Sequence, residues 1–253
     1  MLRMCVLVIV SACGRIGFDP PGSGTDDAAV DSSIDAPGRP AISLVHSTIK
    51  LLSNAPSIST SFSHSAETLL VVGAYWNHGL ATVTVTDSEG QSWTPLGRAA
   101  ITTGCAPPGN GTDMELFYRA TAAVGGMTID VTQSTSSDPI GFVVAEYRGV
   151  DLVTPLDGVS RNVASSVSST VSAGTITTSS TSILVGMLGD SLGSGTIDAV
   201  TGFATRENDM VAELILIDNV GAMPPGMFTV TGTLPAGQTD ACAVGTVAAF
   251  RAR

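Results

Sequence analysis

Val83-Thr84-Val85-Thr86-Asp87-Ser88-Glu89-Gly90-Gln91-Ser92-Trp93-Thr94 decides the reading of the fold. Val and Thr alternate before the turn, the period of a strand with one apolar face. Asp then opens a four-residue segment that Gly closes, the preferred ends of a tight turn. The pattern predicts a hairpin joining a strand at Thr82–Thr86 to one at Ser92–Ile101. Asp87 and Glu89 are also of the type that binds calcium, but turn chemistry accounts for them.

Outward from this stretch the apolar runs are short, β-branched and broken by turn residues, with no helical period. Before it, strands are expected at Ile42–Leu51, Ile58–Ser63 and Thr68–Trp76. After it they are expected at Asp113–Arg119, Met127–Thr132, Ile140–Arg148, Ser168–Thr177, Ser182–Leu188, Ile197–Arg206, Met210–Ile217, Met227–Thr231 and Cys242–Arg251. The chain also repeats itself. Thr68–Tyr75, Glu115-Leu116-Phe117-Tyr118, Val124–Ile129 and Val143–Arg148 form one series; Ser182–Gly189, Glu213-Leu214-Ile215-Leu216, Pro225–Val230 and Thr246–Arg251 form a weaker second. A period on the order of a hundred residues is too long for a solenoid. It predicts an all-β, two-sheet antiparallel sandwich, jelly-roll-like, with two pseudo-repeated halves.

The opening stretch, with Met114-Glu115-Leu116-Phe117-Tyr118 and Val144-Ala145-Glu146-Tyr147-Arg148-Gly149-Val150, resembles a β-sandwich module common in secreted and lipid-anchored bacterial proteins. The resemblance covers about Ile42 to Val150 well and the rest through the weaker series. Gln91 stands where the module has Asn. The module is largely without assigned activity, so the resemblance implies fold and location rather than chemistry.

The N-terminus agrees. Met1-Leu2-Arg3, an apolar run from Met4 to Val10, then Val10-Ser11-Ala12-Cys13 reads as an export signal over residues 1–12. It resembles the bacterial lipobox, which implies cleavage before a lipidated Cys13. Acyl chains, at about 0.8 kcal/mol per buried methylene, anchor such a protein to a membrane. The resemblance implies a Gram-negative envelope, and Gly14 points to the outer membrane or cell surface. Residues 13–40 continue as a Pro/Gly/Ser tract with Asp26, Asp27, Asp31 and Asp35, expected to be a disordered acidic tether. As a flexible chain it reaches on the order of 30 Å. The β-sandwich domain then occupies 41–253. Of four cysteines, Cys5 leaves with the signal and Cys13 is the lipid site. Cys105 and Cys242 are expected to form a disulfide in the exported domain, stabilising it by roughly 4–5 kcal/mol. Two separate buried thiols are the alternative, because spacing does not report the Cα separation.

A net charge of −11 with 13% charged residues argues against nucleic acid or direct adhesion to anionic lipid, both of which need basic patches. Gly189-Asp190-Ser191-Leu192-Gly193 matches the signature of GDSL-type esterases, but that family's histidine lies downstream of its serine. Here His46, His64 and His78 all lie upstream, so Ser191 lacks the base such a nucleophile needs. No clustered His/Cys spacing, P-loop or cofactor fingerprint is present, so neither metal nor cofactor is expected. Glu115 and Glu213 occupy matching places in apolar strands and are expected outward, or paired with Arg119 or Arg206.

If successive strands run antiparallel, the loops 76–81, 102–112 and 133–138 fall at one end, and Asp87–Gly90 with Thr121–Gly125 at the other. The first end offers Trp76, Asn77, His78, Asn110 and Asp138, an aromatic and hydrogen-bonding groups suited to a sugar face; Trp93 is expected in the core. The resulting expectation is a lipid-anchored, non-enzymatic β-sandwich for adhesion or recognition of a glycan or envelope protein. The alternatives are a structural envelope component without a dedicated ligand and, more remotely, a GDSL-like esterase.

Overall fold

A computed structural model of the chain describes residues 41–77, 81–100, 112–134, 139–164, 166–190, 197, 200, 202–209, 214–219, 221–240 and 242–253. Contacts divide the chain between Ala36 and Pro37, and everything below concerns the unit Pro37–Arg253. The described residues form fifteen strands and no helix. In the first half these are β1 (Ser43–Asn54), β2 (Ser57–His64), β3 (Thr68–Asn77), β4 (Val83–Asp87), β5 (Thr94–Ala99), β6 (Thr112–Thr121), β7 (Gly125–Gln133) and β8 (Pro139–Arg148). The second half holds β9 (Leu156–Val163), β10 (Thr170–Thr178), β11 (Ser182–Gly189), β12 (Phe203–Asp209), β13 (Leu214–Asn219), β14 (Gly226–Thr233) and β15 (Val244–Arg251).

All named pairings are antiparallel. The first half has a five-stranded sheet in the order β1-β8-β3-β6-β5 and a three-stranded sheet β2-β7-β4. The second has a five-stranded sheet β12-β13-β11-β15-β9 and a two-stranded sheet β10-β14. The all-β antiparallel sandwich with repeated halves is therefore the architecture, resolved into four sheets. In the first half β1-β8-β3-β6 over β2-β7-β4 is the strand order of a jelly roll, with β5 moved to the edge of the large sheet. The second half repeats it: β15, β11 and β13 take the places of β8, β3 and β6, and β10-β14 that of β2-β7. The described residues of the second half contain no counterpart of β4.

Three apolar layers separate the four sheets. Between the two sheets of the first half pack Leu70, Val72, Phe142 and Val144 from one side and Phe62, Val85, Ile129 and Val131 from the other. A corresponding layer in the second half contains Leu184, Ile217 and Val247 with Val171, Ile176 and Val230. The central layer, between the two large sheets, contains Leu69, Val71, Met114, Val143 and Tyr147 with Val185, Met187, Leu216 and Phe250. The large sheets are thus covered on both faces, and their inner strands are continuous apolar runs: β11 is buried at every residue. Strands of the small sheets alternate instead, as in β2 and β10, because their outer face meets water. The large sheets approach closely at Gly73, where a Cβ would lie 2.0 Å from Met187 Sδ.

Two expectations are corrected here. β4 and β5 are not a hairpin: β4 pairs with β7 and β5 with β6, so the segment between them crosses from the small sheet to the large one. The turn itself is kept, with Gly90 N–H donating to the Asp87 carbonyl at 3.1 Å and Gly90 at φ 69°. The crossing follows from Trp93, which is buried in the first-half core and pulls the chain across its edge. The second correction is β9, a strand the apolar pattern does not reveal because its residues are nearly all half-buried and carry no alternation.

Candidate functional site

The crossing segment brings Asp87, Glu89 and Trp93 to one end of the first half, over the rim of its core. Asp87 organises the turn: Oδ1 accepts the Glu89 N–H at 2.9 Å, and Oδ2 accepts the Trp93 indole N–H at 2.7 Å. The same Oδ2 accepts Arg119 Nη1 at 2.6 Å, while Arg119 Nη2 donates to Glu89 Oε2. Arg119 ends the apolar run of β6, is 4% exposed, and lies with its guanidinium carbon 5.6 Å from the Trp93 ring centroid. His64, at the end of β2, meets Glu89 Oε1 through Nε2 at 2.9 Å. Gly125 is required by close approach, since a Cβ there would lie 2.7 Å from Glu89 Oε1 and 2.8 Å from His64 Nε2.

Beside this cluster opens a recess of about 370 Å³ lined by His64, Glu89, Gln91, Arg119, Thr121 and the chain from Ala120 to Val124. Its wall is fixed by Thr121, whose hydroxyl donates to the Ser65 carbonyl at 3.0 Å and meets Thr68 Oγ1 at 2.8 Å. The Arg119 guanidinium first, and His64 second, hold the Glu89 carboxyl below its ordinary range. Asp87 and Glu89 face Arg119, and Glu89 also faces the His64 ring, so the rim holds its charges against one another and leaves the partly exposed edge of Glu89 as an acceptor. A carboxylate oxygen at that edge accepts from a hydroxyl donor. Deeper along the same end, Glu146 is fully buried; its Oε1 accepts the Ser65 N–H at 2.7 Å and its Oε2 lies 3.0 Å from His46 Nδ1. His46 stacks on Phe62 with ring centroids 4.4 Å apart.

Among the described residues no three His, Cys, Asp or Glu side chains come together as a metal-holding group. The turn reading of Asp87 and Glu89 extends to an ionic one, with both carboxylates engaged by Arg119. The loops Asp87–Gly90 and Thr121–Gly125 do share an end, as the antiparallel assumption predicts: Glu89 and residues 121–124 line one recess.

The other end differs from its expectation. Trp76 is not an exposed tip residue; it is 1% exposed and among the largest fully buried side chains. β3 runs on to Asn77, which keeps Trp76 on the core-facing row with Leu70, Val72 and Ala74, under Arg98 at 5.3 Å from the ring centroid. Asn77 ends that strand, while His78, Asn110 and Asp138 lie outside the described residues. So do Cys13, Cys105 and Ser191. Cys242 is 3% exposed in the central layer. Glu115 pairs with neither Arg119 nor Arg206: it accepts the Gly97 N–H at 2.9 Å, and burial pushes its carboxyl upward despite Arg161 and Arg98 nearby. Glu213 lies outside the described residues. Arg206 binds Asp218 instead, at 2.7 Å.

The rim residues His64, Gln91 and Arg119 were not singled out by sequence reasoning as a site. The available signals were polar residues closing apolar runs, Arg119 after Glu115–Tyr118 and Glu146 inside β8, but such a residue reads equally as a solvated strand end. No family model, no curated protein and no solved structure matches the chain.

Proposed function

We propose that this chain is a lipid-anchored cell-envelope protein displaying a non-enzymatic β-sandwich for ligand recognition, with the rim recess of the first half as its binding site. The observation that carries the reading is the recess itself: a preorganised rim with the exposed Gln91 amide and an accessible edge of Glu89 beside it. Such a surface suits a polyhydroxylated ligand, whose hydroxyls donate to the carboxylate and accept from the amide. The anchor is supported by Val10-Ser11-Ala12-Cys13 and the acidic tract that follows. The module resemblance of residues 42–150 is part of the same proposal. So is pairing of Cys242 with Cys105, the two cysteines of the proposed exported domain.

A structural envelope component without a ligand is the second reading, favoured by one observation: the rim charges already satisfy one another through the Arg119 contacts. A screen of the full chain against glycans and envelope proteins separates the two. Recognition predicts a captured glycan or envelope protein whose affinity falls at least fivefold in Gln91→Ala with the melting temperature unchanged. No capture, or a ligand indifferent to Gln91, favours the structural role. Cys13→Ser is expected to move the protein out of the detergent phase, because the acyl chains are its main membrane contact. Unchanged partitioning overturns the anchor.

A further inference from the structure

At one end of the central layer, between β1 and the strands β11 to β13, lies a second recess of about 370 Å³. Ile42, Leu44 and Ile183 supply an apolar wall; Ser43, Arg206, Asn219 and Gly221 complete it. Two of its strands break register at this end, β1 between Leu44 and His46 and β12 between Thr205 and Glu207. The extra residue of the second break is Arg206. A bulge turns a side chain away from the ordinary alternation, and here the guanidinium reaches the layer between the large sheets.

The polar groups around Arg206 are fixed from beneath. Asp218 is fully buried; its Oδ2 accepts the Tyr147 hydroxyl at 3.0 Å, and its Oδ1 alone accepts both Arg206 Nε and Nη2, each at 2.7 Å. Asn219 accepts the Leu184 N–H through Oδ1 and donates to the Gly221 carbonyl, so it shapes the wall and has little left to offer a ligand. A guanidinium carries five donors in a fork matched to a carboxylate. One oxygen of Asp218 takes two of them and holds the group in place. The Arg206 side chain remains 27% exposed.

We infer that this recess binds a small amphiphilic monocarboxylate, with its carboxylate on Arg206 and its aliphatic part against Ile42, Leu44 and Ile183. Asp218 already balances the guanidinium, so the ligand's carboxylate is held by the donors that Asp218 leaves open; a doubly charged phosphate lacks a second cation among the lining residues. The volume is at the lower end of ligand sites, which run from about 300 Å³, so the tail is short. This site exists only because the two halves stack. It is independent of the rim recess and of the function proposed there.

Octanoate is the probe, titrated into the full chain by calorimetry and by amide chemical shifts, with octanol and inorganic phosphate as comparisons. Saturable octanoate binding is expected, at least tenfold tighter than octanol, with shifts centred on residues 42–44, 183, 206 and 219–221. Arg206→Gln is expected to lose at least tenfold in octanoate affinity. That substitution also removes the charged partner of Asp218, so Leu44→Trp, which fills the apolar wall and keeps the guanidinium, provides a second variant with the same expected loss. Equal affinity for octanol and octanoate, phosphate binding in place of octanoate, binding unaffected by Leu44→Trp, or no saturable octanoate binding overturns the assignment.

Discussion

The two halves place equivalent strands in equivalent order, yet their polar interiors differ. The first half carries β4 and the crossing segment after it, and these deliver Asp87, Glu89 and Trp93 to a rim that Arg119 and His64 complete. The second half, among its described residues, pairs β10 with β14 alone. Its most heavily bonded carboxylate sits elsewhere, at Asp157 on edge strand β9. That side chain accepts Ser179 N–H and Oγ at 2.8 and 2.6 Å, Ser180 N–H at 3.0 Å and Ser182 Oγ at 3.1 Å, with Arg251 at 3.1 Å. One architecture thus uses its carboxylates in two ways. In the first half they close a rim beside a recess; in the second one of them ties an edge strand to a turn. A repeated apolar pattern fixes strand order without fixing the polar residues at strand ends, which are free to diverge toward binding or toward stability.

The comparison is sharpened most by substitution in the core of the first half. Trp76→Ala is expected to destabilise the protein by about 3–5 kcal/mol, the cost of truncating a fully buried tryptophan. Both tryptophans lie in the first half, so urea unfolding followed by the fluorescence of the remaining Trp93 reports on that half, and far-UV circular dichroism on both. The shared central layer predicts that the two signals shift together. Fluorescence moving alone breaks the coupling of the halves.

Asp157→Asn is expected to cost about 1.5–3 kcal/mol, the range for hydrogen bonds to a charged group. Burial pushes the Asp157 carboxyl up, but its hydrogen bonds from Ser179, Ser180 and Ser182 outweigh this and hold it well below the usual carboxylate range. Denaturant midpoints at neutral pH measure the loss. A variant as stable as the parent removes Asp157 as the anchor of β9.

The smallest effect is expected at the rim. Glu89 is lowered in the folded protein from an ordinary value of 4.5, with Arg119 the main cause. Its contribution is therefore fully present above that value and lost as pH falls through the folded one. Glu89→Gln is expected to cost about 1 kcal/mol or less at neutral pH, because the carboxylate is partly exposed. Stability measured from pH 7 down to pH 3 is expected to show the variant and parent converging. A difference that persists or widens in acid contradicts the ionic account of the rim.

The apolar sequence of this protein determines its elements and their repetition. Runs such as Leu69–Trp76 and Ile183–Leu188 can be only strands or buried helix, and their β-branched residues and flanking turns select strands. The contrast between these continuous runs and the alternating Val83–Thr86 or Ser57–Ser63 even encodes the layering, since a strand covered on both faces loses its alternation. That is why four sheets, rather than two, are legible in retrospect. β9 was hidden because a half-buried edge strand has neither signature. Tertiary structure alone decided the rest. Asp87–Gly90 is locally a hairpin turn, and only the burial of Trp93 between two sheets carries the chain across. Trp76 and Gln91 both read as polar-flanked residues near strand ends, but the length of β3 buries the first and the crossing exposes the second. Arg119 meets Glu89 through the crossing segment, and Arg206 meets Asp218 at a register break between the paired strands β12 and β13, because charge pairing depends on three-dimensional distance and leaves no period in the chain.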